Sequence, residues 1–472
     1  MYFNSYEFLL IFLPTSLILF YVVKRFNSHL TNYIFALISL VFYSFFGFKS
    51  LIFLISCISF NYLFSIILCR FHKKWTLITA IGINLSILAY YKYTNFAGDI
   101  LNIGLRIVDK EVITIPKIIA PVGISFIVFQ NIAYLVDVYN DEQYKMSFEK
   151  YLIFSLMFQH LLQGPILYRS NMGEEIIEKG CNYNKISEGI IIFTIGLAKK
   201  LLLADVFGNV VNCAYSDLES LNLLTAIYVS FCYTLQLYFD FSGYSDMAIG
   251  IGRFFQIELP INFDSPYKAA SISEFWNKWH ITLTRFFTKY LYIPLGGNRK
   301  GRIHTVINIL IVFGISGLWH GASFAFIAWG LLHGFAMVVD RNLTVLQKIP
   351  QTIKRIFTFL FVNFAWILFR SASFSVFRQY MKAFRNIGWS INEDIIGNIS
   401  DSFFFQINTT WAPVVPYIYL MIGLCIVFLL PNANEVIKKA KYNNITSILI
   451  IITLLICLMS MGGVTTFIYE GF

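Results

Sequence analysis

Two histidines lie well inside a stretch of the chain that contains no Lys, Arg, Asp or Glu. The stretch runs from Ile303 to Val339, with His320 in Gly-Leu-Trp-His-Gly and His333 in Trp-Gly-Leu-Leu-His-Gly. It is long enough for two membrane crossings, because one crossing takes about 20 apolar residues. An imidazole among Ile, Leu, Phe and Trp needs a polar partner or a water-filled cavity. His320 is therefore the first candidate for catalysis, as a general base.

A structural role is the alternative for His320. The ring is then neutral and binds a backbone carbonyl that Gly317 or Gly321 leaves free. His333 follows His320 by thirteen residues, which is roughly 140° around a straight helix. The two histidines share no face unless the helix breaks at Gly321, so we expect His333 to line a second wall or to pack.

The segment from Asp240 to Arg302 gathers most of the internal polar residues and stays rich in aromatic residues. From Ile272 to Leu291, apolar residues recur every three or four positions, with basic residues between them. This pattern predicts an amphipathic helix at the membrane surface. His280 lies at the edge of the apolar face, where it either takes part in the chemistry or caps or packs the helix.

A basic, glycine-rich turn follows that helix between Tyr292 and Arg302. Its residues Asn298, Arg299 and Lys300, together with backbone amides, can hold the phosphates of a polyanionic coenzyme. The alternative is an ordinary basic loop on the cytoplasmic side, which the spacing alone favours.

Two acidic residues, Asp240 and Asp246, precede Asn262 in the same polar segment. Asp246 and Arg253 are seven residues apart, so they share a helical face and are predicted to pair. Buried carboxylates are costly unless paired. Asp240 and Asp246 therefore either line a polar cavity or lock helices together, and the residues alone favour the second role.

Composition bounds the class of protein. The 472 residues are 57% hydrophobic and only 13% charged, whereas a soluble domain has about 25% charged residues. The net charge of +10 resides mostly in short loops, which fits the positive-inside rule, and no nucleic-acid motif accompanies it. The seven cysteines show no zinc-ligand spacing. The chain is thus expected to be a multi-pass membrane protein without a metal site or a nucleic-acid partner.

Charge-free runs predict an all-α protein with about 11–13 spans, plus re-entrant or interfacial helices, in one domain over residues 1–472. Tyr151–Tyr168 is one of these runs. Ile186–Val211 is another, but Lys199 and Lys200 interrupt it, so it is expected to be broken or to line a cavity. The basic clusters after the first and third runs fall on one side, which should be cytoplasmic.

Several motifs in fixed order resemble the membrane-bound O-acyltransferase superfamily, and within it the bacterial alginate and peptidoglycan O-acetyltransferases. They are Pro-Val-Gly-Ile-Ser-Phe from Pro121, Asp-Phe-Ser-Gly-Tyr-Ser-Asp from Asp240, Trp-Asn-Lys-Trp-His ending at His280, the basic turn, and the two histidine motifs. The similarity runs essentially from end to end.

The resemblance implies helices around a central tunnel, with His320 as the essential histidine and His280 as a second catalytic position. The tunnel wall would include Trp319, Asp240, Asp246, Asn262 and His333. The donor would be cytoplasmic acetyl-CoA, a substrate rather than a bound cofactor. The acetyl group would cross the bacterial cytoplasmic membrane to a polysaccharide of the alginate, peptidoglycan, cellulose or O-antigen type. A separate extracytoplasmic SGNH-type transferase would finish the reaction, since no Ser-His-Asp hydrolase-like domain is visible here.

Three other functions compete with acetyl transfer. A teichoic-acid-type D-alanyl transferase would take its acyl group from a carrier-protein thioester. A proton-coupled transporter would use His320 as a relay, but it predicts inverted repeats, which the sequence does not show. A membrane scaffold would anchor a secreted transferase and do no chemistry.

Overall fold

Helices make up the regular structure of the chain, as the long apolar runs predict. The computed structural model describes residues 1–116, 118–169, 177, 180–342, 348–401, 414–439, 444–462 and 465–468. No β-strand occurs among these residues. A chain in lipid must satisfy its backbone N–H and C=O groups within each segment, and a helix does so. The predicted all-α class is confirmed.

The chain divides into two compact units. The first comprises Met1, Glu7–Asn182 and Phe255–Pro260, and the second comprises Tyr2–Tyr6, Tyr183–Phe254 and Ile261–Phe472. All the candidate site residues lie in the second unit. A single integral-membrane domain over residues 1–472 stays a prediction.

Helices of the first unit begin with a π-helix, Glu7–Phe12. The α-helices that follow in that unit are α1 (Leu13–Phe26), α2 (Ser28–Ser44), α3 (Phe48–Phe71), α4 (Lys74–Ile107), α5 (Ile124–Asn140), α6 (Phe148–Leu156) and α7 (Phe158–Leu161).

Helices of the second unit carry the candidate site. They are α8 (Tyr183–Ala198), α9 (Asp205–Ser216), α10 (Leu223–Phe254), α11 (Ile272–Lys278), α12 (Ile281–Phe287), α13 (Arg302–His320), α14 (Phe324–Asn342), α15 (Gln351–Ser371), α16 (Phe374–Lys382), α17 (Glu393–Asp401), α18 (Val415–Leu429), α19 (Ala433–Lys439) and α20 (Asn444–Met459). A π-helix, Lys199–Ala204, joins α8 to α9, and another, Thr288–Tyr292, follows α12.

Within the described ranges, five helices are long and apolar enough to cross a membrane. They are Glu7–Phe26, Phe48–Phe71, Arg302–His320, Phe324–Asn342 and Gln351–Ser371. The bent pair α18 and α19 makes a sixth if it counts as one span. The multi-pass character is confirmed, although these long apolar helices are fewer than the 11–13 spans that charge-free runs alone suggested.

The run Tyr151–Tyr168 illustrates the difference, because it does not form one continuous span. It folds as α6 and α7, and Phe154, near the break between them, has a carbonyl that accepts two side-chain hydrogen bonds. Gln130 donates from Nε2 at 2.7 Å, and His160 donates from its Nε2–H at 3.2 Å. Polar side chains thus donate the hydrogen bonds to this backbone carbonyl that a backbone N–H would donate in a continuous helix. His160 has a structural role here.

Helices α8 and α10 pack backbone to backbone. A Cβ on Gly196 would lie 2.6 Å from the Gly243 carbonyl oxygen, and a Cβ on Gly189 would lie 2.9 Å from that of Gly250. Small residues permit such close approach between membrane helices. The chain does not break at Lys199 as expected, because α8 continues through the π-helix into α9 with right-handed helical backbone at Ala198 and Ala204. The close packing brings the lysines of the π-helix against α10.

Helices α13 and α14 form a hairpin of the same kind. A Cβ on Gly317 would lie 2.2 Å from the Phe326 carbonyl oxygen, and a Cβ on Gly330 would lie 2.1 Å from that of Phe313. At one end, Arg302 Nε donates to Asn342 Oδ1 at 2.7 Å. The other end lies at the break between His320 and Phe324, so the helix does end beside Gly321.

Candidate functional site

The predicted amphipathic helix from Ile272 to Leu291 is not continuous in the structure. It divides into α11 and α12, and His280 between them adopts a left-handed φ of 43°. A non-glycine residue there costs roughly 1–2 kcal/mol. Backbone hydrogen bonds offset this cost, since Ile281 N donates to Asn262 O at 3.0 Å and Asp264 N donates to Lys278 O at 3.0 Å. The segment is buried at Trp276, Trp279 and His280 rather than lying flat on the surface.

Asn262 determines which nitrogen of His280 carries the proton. The backbone N–H of Thr282 donates to Asn262 Oδ1 at 3.2 Å, so this atom must be the amide oxygen. His280 Nδ1 lies 3.2 Å from the same oxygen and therefore donates to it. The lone pair of the neutral ring is then on Nε2. Burial lowers the pKa of His280 to about 3, so the ring is neutral at physiological pH.

His320 is the last residue of α13 and is only 2% exposed. Three aromatic rings surround its imidazole, with centroid distances of 4.8 Å to Trp319, 5.1 Å to Trp329 and 5.5 Å to Phe369. We call these three rings the aromatic cage. Trp319 also contacts His280 at 6.4 Å. The structure thus brings both predicted catalytic histidines into contact with one indole.

His333 packs in the same aromatic cluster, as one of its two expected roles. The centroid of its ring lies 5.0 Å from that of Trp329, and Trp329 also contacts His320. The two histidines share this neighbour because the chain breaks at Gly321 and α14 turns back along α13. Trp276 Nε1 donates to His333 Nδ1 at 3.3 Å. Indole nitrogen is only a donor, so the His333 proton is on Nε2.

Three buried nitrogens of this cluster have no hydrogen-bond partner in the described part of the chain. They are Nε1 of Trp329, Nε1 of Trp366 and Nε2 of His333. Buried polar groups in proteins almost always have partners, and water or a ligand provides those that the protein does not. These three nitrogens, of which Trp329 Nε1 belongs to a ring that contacts His320, are therefore candidate donors to a water or a ligand.

A cavity lies beside one face of α13. Its volume is about 150 Å³, and it is lined from α13 by Ile309, Val312, Phe313 and Ser316. The next position on this helical face is His320, four residues beyond Ser316. Tyr292 and Arg341 line the cavity nearer the basic turn. The cavity therefore extends on its α13 side from Ile309 to Ser316, one helical turn short of His320, and Asn298, Arg299 and Lys300 are not among its lining residues.

The basic turn lies at the start of α13. Asn298, Arg299 and Lys300 are exposed, and Asn308 Nδ2 holds the turn by donating to the Gly297 carbonyl at 2.9 Å. No ion pair of Arg299 or Lys300 occurs within the described residues. From Arg302 to His320 the helix rises roughly 27 Å. The two ends of the candidate site are thus a membrane thickness apart.

The predicted pair of Asp246 with Arg253 is wrong. Asp246 binds Lys199 Nζ at 2.6 Å, whereas Arg253 binds Glu188 at 2.9 Å. Close packing of α8 on α10 decides this, because it brings the π-helix lysines beside the α10 carboxylates. Sequence spacing along one helix contains no information on such a neighbour.

Asp240 belongs to the same buried charge cluster. Lys200 Nζ lies 2.8 Å from both Asp240 and Asp205. Lys200 Nζ also donates to the Thr466 carbonyl at 2.9 Å, and Ile468 N donates to Asp240 Oδ2 at 2.9 Å. The cluster therefore fastens residues 465–468 to α10 and its π-helix neighbour. The ion pairs of Asp240 and Asp246 hold α10 against the π-helix Lys199–Ala204.

Sequence reasoning missed several residues around the site. Ser316 and Arg341 line the cavity, and Trp366 and Phe369 of α15 pack on the cage. Ser316 had a usable signal, because it precedes His320 by one helical turn. The α15 residues had none, since only tertiary packing brings that helix beside α13. Within the described chain, no group of three or more His, Cys, Asp or Glu could hold a metal ion.

Comparison with known proteins gives the family. The model of the membrane-bound O-acyltransferase family matches residues 35–381. The chain is 33% identical to a peptidoglycan O-acetyltransferase of Helicobacter pylori, over 100% of this chain and 97% of that protein. It is 35% identical to a probable alginate O-acetylase of Pseudomonas putida, over 83% of this chain and 82% of that protein.

A more distant relative is a teichoic acid D-alanyltransferase of Streptococcus thermophilus. It is 27% identical over 46% of this chain and 56% of its own length. The family match covers most of the chain and includes His280 and His320. The polytopic helical chain, with two buried histidines in contact with Trp319, therefore belongs to the membrane-bound O-acyltransferase family and is an O-acyltransferase of the membrane.

Proposed function

We propose that this enzyme takes an acetyl group from cytoplasmic acetyl-CoA and passes it across the membrane for O-acetylation of a cell-surface or cell-wall polysaccharide. The observation that carries the proposal is the cavity beside α13, which is lined by Tyr292, Arg341 and α13 residues up to Ser316, one helical turn from His320. The names of the two more similar relatives, a peptidoglycan O-acetyltransferase and a probable alginate O-acetylase, favour acetyl transfer to a glycan.

The basic turn is the proposed binding site for the coenzyme phosphates. Asn298, Arg299 and Lys300 are exposed there, and guanidinium and ammonium groups bind phosphate strongly. Arg341 adds a cation to the cavity wall. A cavity of about 150 Å³ is suited to the thin arm of a thioester and excludes the bulky nucleotide. The nucleotide therefore stays at the turn while the acetyl group enters.

One helical turn beyond Ser316, the last α13 residue that lines the cavity, His320 is the proposed general base. The acceptor hydroxyl oxygen attacks the thioester carbonyl carbon, and His320 accepts the hydroxyl proton. The carbon–sulfur bond then breaks, and the thiolate takes the proton from His320, leaving an acetyl ester and a free thiol. The buried N–H of Trp329 beside His320 is a donor for the carbonyl oxygen as its negative charge develops.

His280 is the proposed second member of the site. Its ring is held by Asn262 and presents the lone pair of Nε2, which accepts a hydrogen bond from a polar group in the tunnel. Asp240 and Asp246 have a different part in this proposal, because their lysine partners neutralise them. They keep the wall of the second unit together and take no part in proton transfer.

The acceptor side requires a partner in this proposal. We expect an extracytoplasmic SGNH-type transferase to place the acetyl group on glycan hydroxyls of the alginate, peptidoglycan, cellulose or O-antigen type. The membrane would be the bacterial cytoplasmic membrane, with the basic turn on the cytoplasmic face.

Labelled acetyl transfer in membranes tests the proposal. Membranes of bacteria that express the chain are supplied with radiolabelled acetyl-CoA, and alkali-labile label in the macromolecular fraction is measured. His320→Ala should abolish the label, whereas His72→Asn should leave it unchanged. His72 is the matched control, because it is exposed and its left-handed φ of 45° is tolerated by Asn.

Two outcomes would contradict the proposal. Full labelling with His320→Ala would favour a scaffold role for this chain. Absence of labelling in the wild type, together with activity from a D-alanyl carrier-protein thioester, would favour the teichoic-acid-type reaction.

A further inference from the structure

We infer that Phe369 closes the acyl end of the site and restricts the donor to acetyl. This inference rests on the proposed function, since it takes His320 as the point of transfer. It concerns a residue on α15, a helix outside both histidine motifs. Phe369 is fully buried, and its ring lies 5.5 Å from that of His320 at an interplanar angle of 75°.

The position of the Phe369 ring is set by its own neighbours. Centroid distances are 4.9 Å to Trp329, 5.1 Å to Phe326 and 5.3 Å to Trp366. Trp329 in turn stacks on Trp366 at 5.6 Å with an interplanar angle of 21°. Movement of Phe369 therefore requires several buried rings to move together, which a close-packed interior resists.

The room for an acyl chain is limited on the other side as well. The cavity that approaches along α13 has a volume of only about 150 Å³ and is lined up to Ser316. Beyond Ser316 the α13 face reaches His320 and its aromatic cage. An acetyl methyl group is the smallest acyl tail, whereas each further methylene must displace a caged ring and so incurs a steric penalty.

Phe369 is the cage member whose truncation enlarges this space most directly. Trp319 also contacts His280, and Trp329 also contacts Trp276 and His333. Replacing either indole would disturb the second histidine or the hydrogen-bonded Trp276. Truncating Phe369 removes one wall from another helix and leaves these contacts in place.

The experiment compares donors of increasing chain length. Membranes are supplied with radiolabelled acetyl-CoA, propionyl-CoA or butyryl-CoA, and alkali-labile label in the macromolecular fraction gives kcat/KM for each. A pocket discriminates about tenfold or more for each methylene that does not fit. The wild type should therefore prefer acetyl over butyryl by at least about tenfold. Phe369→Leu and Phe369→Ala should reduce that preference at least about tenfold.

Phe359→Leu is the matched control. Phe359 is a buried phenylalanine of the same helix that packs on Phe231, Tyr267 and Phe428, ten residues from Phe369 and roughly 15 Å away along the helix. Its replacement should leave the chain-length preference of the wild type unchanged.

Each outcome decides the inference. A wild type that uses butyryl-CoA as well as acetyl-CoA would overturn it without any variant. An unchanged preference in folded Phe369→Leu would overturn it as well, as would an equal change in Phe359→Leu. The proposed function fails separately, if the wild type uses no acyl-CoA or if His320→Ala retains acetyl transfer.

Discussion

Replacing Asn262 by Ala should abolish most of the acetyl transfer although both histidines are retained. Asn262 Oδ1 accepts hydrogen bonds from Thr282 N at 3.2 Å, from Thr282 Oγ1 at 2.9 Å and from His280 Nδ1 at 3.2 Å. Each buried hydrogen bond contributes about 1 kcal/mol net. The variant should therefore lose about 2–3 kcal/mol of stability, and the left-handed turn at His280 loses its side-chain anchor.

The assay combines thermal unfolding in detergent with labelled acetyl transfer in membranes. Asn262→Ala should unfold several degrees lower and lose most of its activity, because His280 is free to rotate or to change tautomer. Thr282→Val is the comparison, since it removes only one of the three side-chain hydrogen bonds. The free energy of unfolding of Thr282→Val should fall by about 1 kcal/mol, and the variant should retain most of the acetyl transfer.

Asn262→Asp separates the electrostatic role from the structural one. The carboxylate still accepts all three hydrogen bonds, so the fold should be retained. A carboxylate beside Nδ1 favours the charged ring and raises the pKa of His280 from about 3 toward its ordinary value. If neutral His280 is needed, activity should fall on the acid side at a higher pH than in the wild type. An unchanged pH profile, or full activity in Asn262→Ala, would refute the role of this hydrogen bond.

The remaining predictions concern packing, charge and donor binding. Gly330→Ala should be strongly destabilised in thermal unfolding, since its Cβ would lie 2.1 Å from a backbone oxygen, whereas Gly314→Ala should be tolerated with a nearest contact of 3.5 Å. Lys199→Met should lower the free energy of unfolding by about 3–5 kcal/mol, because it leaves the Asp246 carboxylate buried without its partner. The double variant Lys199→Met, Asp246→Leu should recover most of that free energy, and an absence of recovery would contradict this explanation. Arg299→Glu should raise KM for acetyl-CoA several-fold with little change in kcat, and an unchanged KM would exclude the turn as the phosphate site.

Local composition predicted the class of fold and the first residue to test. A continuous apolar run of about 20 residues is the length of a membrane-spanning helix, in which every backbone group is satisfied within the segment, and a histidine inside it requires a polar partner or a water-filled cavity. These two arguments use only the residue types and their order. They identified His320 and the multi-pass helical class, and the structure confirms the class.

The spacing of residues along the chain did not predict the contact partners of Asp246 and His280. Asp246 was paired with Arg253 by helical spacing, but tertiary packing puts Lys199 beside it. His280 was assigned to a surface helix, yet the chain breaks there and buries it, because Asn262 anchors the turn. Both errors have one cause, since periodicity describes a single helix and says nothing of the helix that packs against it.

The sequence by itself thus determined that this chain is helical, crosses the membrane and carries His320 in an apolar setting. Only the tertiary structure decided what that histidine touches. Phe369 lies 49 positions after His320, and the two rings meet because glycines let α13 and α14 pack closely and the next helix folds back on them. Such contacts depend on backbone approach between segments distant in sequence, which no local pattern encodes.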